Sequence, residues 1–97
     1  MVIIVLDHIP QCYTPADGAV IHALLNPAIS RNQQVTLSFA GVADVPSSFI
    51  NAALIPLVQT YGMDKVKTHL RITNVTSQVA DMIRRCFVNA GRMMEAA

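Results

Sequence analysis

The stretch that decides the fold is Val35-Thr36-Leu37-Ser38-Phe39-Ala40-Gly41-Val42-Ala43-Asp44-Val45-Pro46-Ser47-Ser48-Phe49-Ile50, running on to Tyr61-Gly62. Val35, Leu37 and Phe39 alternate with Thr36, Ser38 and Ala40, the period-2 pattern of a strand with one apolar face. Gly41 ends that pattern. Pro46 fits just ahead of a helix and not inside one. Ser47 then reads as the N-cap of a helix whose apolar residues are Ile50, Leu54, Leu57, Val58 and Tyr61. Pro56 lies inside that pattern and should bend or break the axis. A strand, a short loop and a serine-led helix present two hydroxyls where main-chain N–H groups and the helix dipole favour an anion.

The same two periods recur on either side. Val2-Ile3-Ile4-Val5-Leu6 is an unbroken apolar run, which suits a strand covered on both faces. Thr14-Pro15-Ala16-Asp17 marks a helix start, with Thr14 as cap, Pro15 as first helical residue and Asp17 at the third position. Val20, Ile21, Leu24, Leu25 and Ala28 form its apolar face. Pro27 should kink this helix or stop it near Asn26. Gly62 closes the central helix, and residues 63–68, with Lys65 and Lys67, read as a solvated turn. Leu70 and Ile72 alternate with Arg71 and Thr73 in a third strand. Asn74 and Thr76 are both caps for a last helix carrying Val79, Met82, Ile83, Cys86, Phe87, Ala90 and Met94 at helical spacing.

Strands over 2–6, 35–40 and 69–74 therefore alternate with helices over 15–30, 47–61 and 76–93. That order predicts one α/β domain over 1–97, with a small, mainly parallel or mixed sheet. Thr36, Ser38, Arg71 and Thr73 fall on a face that the helices leave open.

Composition narrows the function classes. The formal net charge is +1, which argues against nucleic acid and a membrane surface as partners. Charged residues make up only 13% of the 97 and hydrophobic ones 53%, so a homodimer or a protein partner is expected to cover exposed apolar surface. The last helix, ending in Met93 and Met94, is the first candidate for that contact. No run of about 18 apolar residues suggests a membrane span. Met1 to Leu6 has no basic residues before it and no cleavage site after it. The expected setting is the cytoplasm, with Cys12 and Cys86 as free thiols. His8, His22 and His69 have no metal-ligand spacing, no glycine-rich phosphate loop is present, and no cofactor or metal is expected.

At this point the chain resembles a known family. Phe39-Ala40-Gly41-Val42 followed by Pro46-Ser47-Ser48-Phe49-Ile50 is similar to the pattern of the STAS-like family of small bacterial proteins, a domain of unknown function. Asp17-Gly18 and Arg71-Ile72-Thr73-Asn74 look like family positions too. Ser38 and Asn51-Ala52 stand where the family often carries acidic residues. The likeness to the STAS domain of anti-sigma-factor antagonists implies a protein-interaction and regulatory module, not an enzyme. In those proteins a partner kinase phosphorylates a serine at the start of the matching helix, in an acidic-Ser-Ser-Gly-Leu motif. Residues 46–50 stand at its positions, with Ser48 at the phosphorylated one, Pro46 in place of the acid and Phe49 in place of the glycine. The resemblance implies Ser48, with Ser47, as the regulatory site, and Asp44, Phe49 and Asn51 as partner-binding residues. The implied partner is a kinase-like ATPase or another regulator. Two other readings stay open. Ser47 or Ser48 would serve a small hydrolase or transferase if a base lies within hydrogen-bond reach, and the chain would equally serve as a structural subunit of a complex.

Overall fold

The computed structural model describes residues 1–96, with side chains described for 1–91. Three strands, β1 (Val2–Ile4), β2 (Val35–Ser38) and β3 (Leu70–Thr73), form one sheet in that order. Both pairings are parallel, with Ile3 beside Leu37 and Leu37 beside Ile72. Five helices connect and cover them: α1 (Pro15–Ser30), α2 (Ser47–Ala53), α3 (Ile55–Tyr61), α4 (Met63–His69) and α5 (Ser77–Ala96). The expected α/β class and parallel sheet are what the chain adopts.

Register sorts the sheet into two faces. Ile3, Val5, Val35, Leu37 and Leu70 are buried under the helices. The other face carries Val2, Ile4 and Arg71, which are exposed, and Thr36 and Thr73, which are half-buried. Ser38, expected on this open face, is instead buried, its hydroxyl held by the Asn74 amide and the Ala40 N–H. The apolar first run departs from its reading as a strand covered on both sides. Val2 is 66% exposed while Ile3 is 6% exposed, and residues Val5–Asp7 leave the sheet as a 3₁₀ turn. Unbroken hydrophobicity there does not mean two-sided burial, because the helices cover only one face of the sheet at β1.

Each helix boundary has a local cause. Thr14 Oγ1 accepts from the Asp17 N–H (3.2 Å) and Asp17 returns a bond to the Thr14 N–H (3.3 Å), a full capping box ahead of Pro15. α1 does not stop at Asn26. It runs through Pro27 to Ser30, because Ala28 and Ile29 beyond the proline are buried. It closes on Asn32, whose φ of 58° lets the Gln33 N–H reach the Ala28 carbonyl at 2.9 Å. On α1 Val20 proves exposed and Leu24 half-buried, so the core face is Gly18, Ile21, Leu25, Ala28 and Ile29.

The central helix is two helices. Pro56 has no N–H for the ladder, the chain breaks at Leu54, and the proline falls in the first turn of α3. Gly62, at φ 90°, ends α3 and begins α4. Residues 63–68 are therefore helical and not a turn. Val66, fully buried, anchors α4 to the core, while Lys67 and Thr68 face solvent. Two apolar residues in seven, Met63 and the buried Val66, are too weak a period to read from the sequence. On α5, Val79, Ile83, Cys86 and Ala90 are buried and Met82 and Phe87 pack at the margin, as the helical spacing predicts. The side chains of Met93 and Met94 lie outside the described residues. No helix among the described residues is long and apolar enough to cross a membrane.

Candidate functional site

The candidate site is the junction between β2 and α2, at the carboxyl end of the sheet. Open α/β sheets bind their ligands at that end. Phe39 follows β2 into the core and meets Phe49 edge-to-face, ring centres 6.4 Å apart and planes 79° apart. Gly41 sits at φ 84° in a tight turn closed by the Val42 N–H on the Phe39 carbonyl at 2.9 Å. Val42 and Val45 are buried, so the loop hangs from two apolar pegs with Ala43 and Asp44 exposed between them.

A second connection, between β3 and α5, braces this loop. Asn74, at φ 57°, donates from Nδ2 to Ser38 Oγ at 2.8 Å. Ser38 Oγ also accepts from the Ala40 N–H at 3.3 Å, which satisfies a hydroxyl that is 4% exposed. Thr76 Oγ1 donates to the Ala43 carbonyl at 2.6 Å. Gln78 holds both main-chain groups of Val45, accepting its N–H at 3.0 Å and donating to its carbonyl at 3.3 Å. Thr76 also caps α5 by accepting the Val79 N–H at 3.3 Å. Of the two expected caps, Thr76 takes that role and Asn74 serves the strand end. The Gln78 clamp left no mark in the sequence, since an exposed glutamine has no distinguishing spacing.

The expected site residues are distributed as follows. Pro46, extended at φ −80° and ψ 160°, is the N-cap of α2, and it has no side-chain oxygen to give. Ser47 is therefore not the cap but the first helical residue. Ser47, Ser48, Asp44 and Asn51 are all exposed. Phe49 is not: it is completely buried, and its contacts are with the core and not with a partner. The phenylalanine stands one residue after the exposed serine pair, where the helix turns inward.

Ser47 and Asn51 also line a groove of about 430 Å³ between α2–α3 and α5, with Ile55, Gln59, Cys86 and Asn89. Its polar groups are a hydroxyl, three amides and a thiol, with no histidine or carboxylate among the described lining residues. Burial raises the Cys86 thiol above its ordinary range, which keeps it protonated at neutral pH. Of the histidines, His69 has Nδ1 2.9 Å from the Lys65 carbonyl, and His22 is half-buried with Nδ1 unpaired. Among the described residues no cluster of histidine, cysteine and carboxylate side chains has the makings of a metal site.

A small parallel three-stranded sheet with helices between its strands is consistent with a STAS-like fold. The family model of the STAS-like domain of unknown function (DUF4325) matches residues 17–80, about two thirds of the chain, and the chain belongs to this family. The match takes in α1, the β2–α2 junction, α4, β3 and the start of α5. No curated protein and no solved structure matches the chain.

Proposed function

We propose that this domain is a non-catalytic, cytoplasmic protein-interaction module controlled at the start of α2, with Ser48 as the phosphorylated residue. The observation that carries the reading is the exposure of Ser48 in the first turn of α2, next to a loop braced by Asn74, Thr76 and Gln78 from the β3–α5 connection. A kinase needs a reachable hydroxyl, and a partner needs a surface that does not shift. Asp44, Ser47, Ser48 and Asn51 supply that surface, and the partner is a kinase-like ATPase or another regulator. Phosphate at Ser48 would bring nearly two negative charges to a surface whose only carboxylate nearby in sequence is Asp44. The helix N-terminus favours the phosphate and Asp44 opposes it. The amide-rich surroundings of Ser47 support the interaction reading over a serine nucleophile, which requires a neighbouring base.

The test begins with the native partner, captured with the purified domain and identified by mass spectrometry. Ser48→Glu is expected to keep the fold and weaken that complex at least tenfold, about 1.4 kcal/mol. Ser48→Ala is expected to bind like the parent. Equal binding by Ser48→Glu and the parent would remove the regulatory role of this serine.

A further inference from the structure

We propose that the free edge of β3, with the groove beside it, takes up an extended acidic segment of another protein as an added strand. The outer edge of β3 is open. The Phe39 N–H bonds the Thr73 carbonyl at 3.0 Å, so Thr73, and by alternation Arg71, turn their main-chain groups toward β2. Ile72 turns its N–H and carbonyl the other way, to the side where no strand lies among the described residues. At the start of the strand the Leu70 N–H is already held by the Val66 carbonyl. The strand has neither a proline nor a bulge to deter pairing. The opposite edge, β1, has three residues and passes at once into the 3₁₀ turn, so it offers a poorer template.

The side chains of an added strand have a place to go. A groove of about 790 Å³ lies between α4, β3 and α5, lined by Met63, Lys67, Ile72, Ile83, Arg84 and Phe87 among others. Its floor is apolar. Its charged lining residues are Lys67 and Arg84, with no carboxylate among the described ones. Arg84 also bonds Asp81, but its side chain stays 74% exposed and its planar fork has N–H groups to spare. An edge that offers the main-chain groups of Ile72, one apolar groove beside it, and two cations at its rim fit a strand of apolar residues interspersed with Asp or Glu. This surface does not rest on the Ser48 reading. It lies along Ile83, Arg84 and Phe87 of α5, whereas the groove at Ser47 lies along Cys86 and Asn89.

The experiment is a selection from a pool of capped eight-residue peptides. Alternate positions are Val, Ile or Leu, and those between are drawn from Asp, Glu, Lys and Thr. The parent domain is expected to enrich Asp and Glu over Lys at least tenfold. Lys67→Glu with Arg84→Glu should reverse that preference, and Arg84→Gln alone should weaken it. In the complex, amide exchange at Ile72 should slow at least tenfold. Ser48→Glu should select the same peptides as the parent, which keeps this result separate from the fate of the Ser48 reading. Enrichment without charge preference, an Ile72 amide that stays unprotected, or no peptide retained at all would each overturn the proposal. So would capture of anionic lipid vesicles in place of peptides, or a light-scattering dimer that Lys67→Glu with Arg84→Glu dissociates.

Discussion

Gly18 on α1 lies directly against the main chain of Phe49 on α2. A methyl group built at Gly18 would stand 2.6 Å from the Phe49 carbonyl oxygen and 2.8 Å from the Ala52 Cβ. The two helices therefore meet at backbone contact, and the position of α2, with its serine pair, depends on the missing side chain. In an exposed helix interior Gly→Ala adds about 1 kcal/mol of stability. Here the overpacking cost, roughly 1–3 kcal/mol, should exceed that gain. Gly18→Ala is expected to lower the melting temperature and shift the amide signals of residues 47–53. Gly91→Ala, whose added methyl group meets no atom of the described residues within 4 Å, is expected to raise it. A neutral or stabilising Gly18→Ala would mean that the two helices part easily.

The capping box at α1 gives a second, independent test. Thr14 and Asp17 exchange bonds that satisfy main-chain donors at a helix start. Thr14→Ala should cost about 1 kcal/mol, and Thr14→Ser about a few tenths, in urea melts. Ser47→Ala should cost less than about 0.5 kcal/mol, because Pro46 and not Ser47 occupies the cap of α2. Comparable losses at Thr14 and Ser47 would contradict the cap assignments.

The fold was legible where a local signal and a tertiary demand agree. Thr14, Pro15 and Asp17 announce α1 by themselves, and the alternation through Val35, Leu37 and Phe39 announces β2. Pro27 and Pro56 show the limit of local reading. Both lack an N–H, yet α1 continues past Pro27 to bury Ala28 and Ile29, whereas the chain breaks ahead of Pro56. What lies across the core decides, and the sequence does not display it. The serine pair of the candidate site was visible as a motif. The bracing by Asn74, Thr76 and Gln78 was not, because it joins residues more than thirty positions apart. Phe49 misled for a related reason: a residue in a recognisable motif can belong to the core.

The pair Ser38–Asn74 is the buried part of that bracing. Removing the Ser38 hydroxyl strands the Asn74 amide and the Ala40 N–H. Ser38→Ala should cost about 1 kcal/mol, because Ala40 and Asn74 are exposed and water takes up part of what their donors lose. Asn74→Gly keeps the left-handed backbone and loses only the side-chain bond, so it should cost less. The double variant should cost less than the sum of the two, since one shared bond is counted twice. Strict additivity in thermal melts would show that the 2.8 Å contact adds nothing to stability.

Cys12 carries the last prediction. It is 2% exposed, and burial followed by the nearby Asp17 charge pushes its thiol up from 9.0 to about 11. Folding therefore disfavours the thiolate. Below pH 9 the thiol is protonated in both states and its contribution to stability is constant. Between pH 9 and 11 the unfolded chain ionises first, so stability falls as pH rises, by up to about 1.4 kcal/mol per pH unit. Above pH 11 both states are ionised and the loss levels off. Other groups titrate in the same range, so the measurement is a difference. Denaturant melts of the parent and of Cys12→Ala should converge as the pH is raised from 8 to 11, with the parent losing more. Asp17→Asn should leave the onset near pH 9 and make the parent's loss smaller, levelling off at a lower pH. Parallel pH profiles for parent and Cys12→Ala would mean that the folded thiol ionises as readily as the unfolded one, and that Cys12 is not sealed in the core.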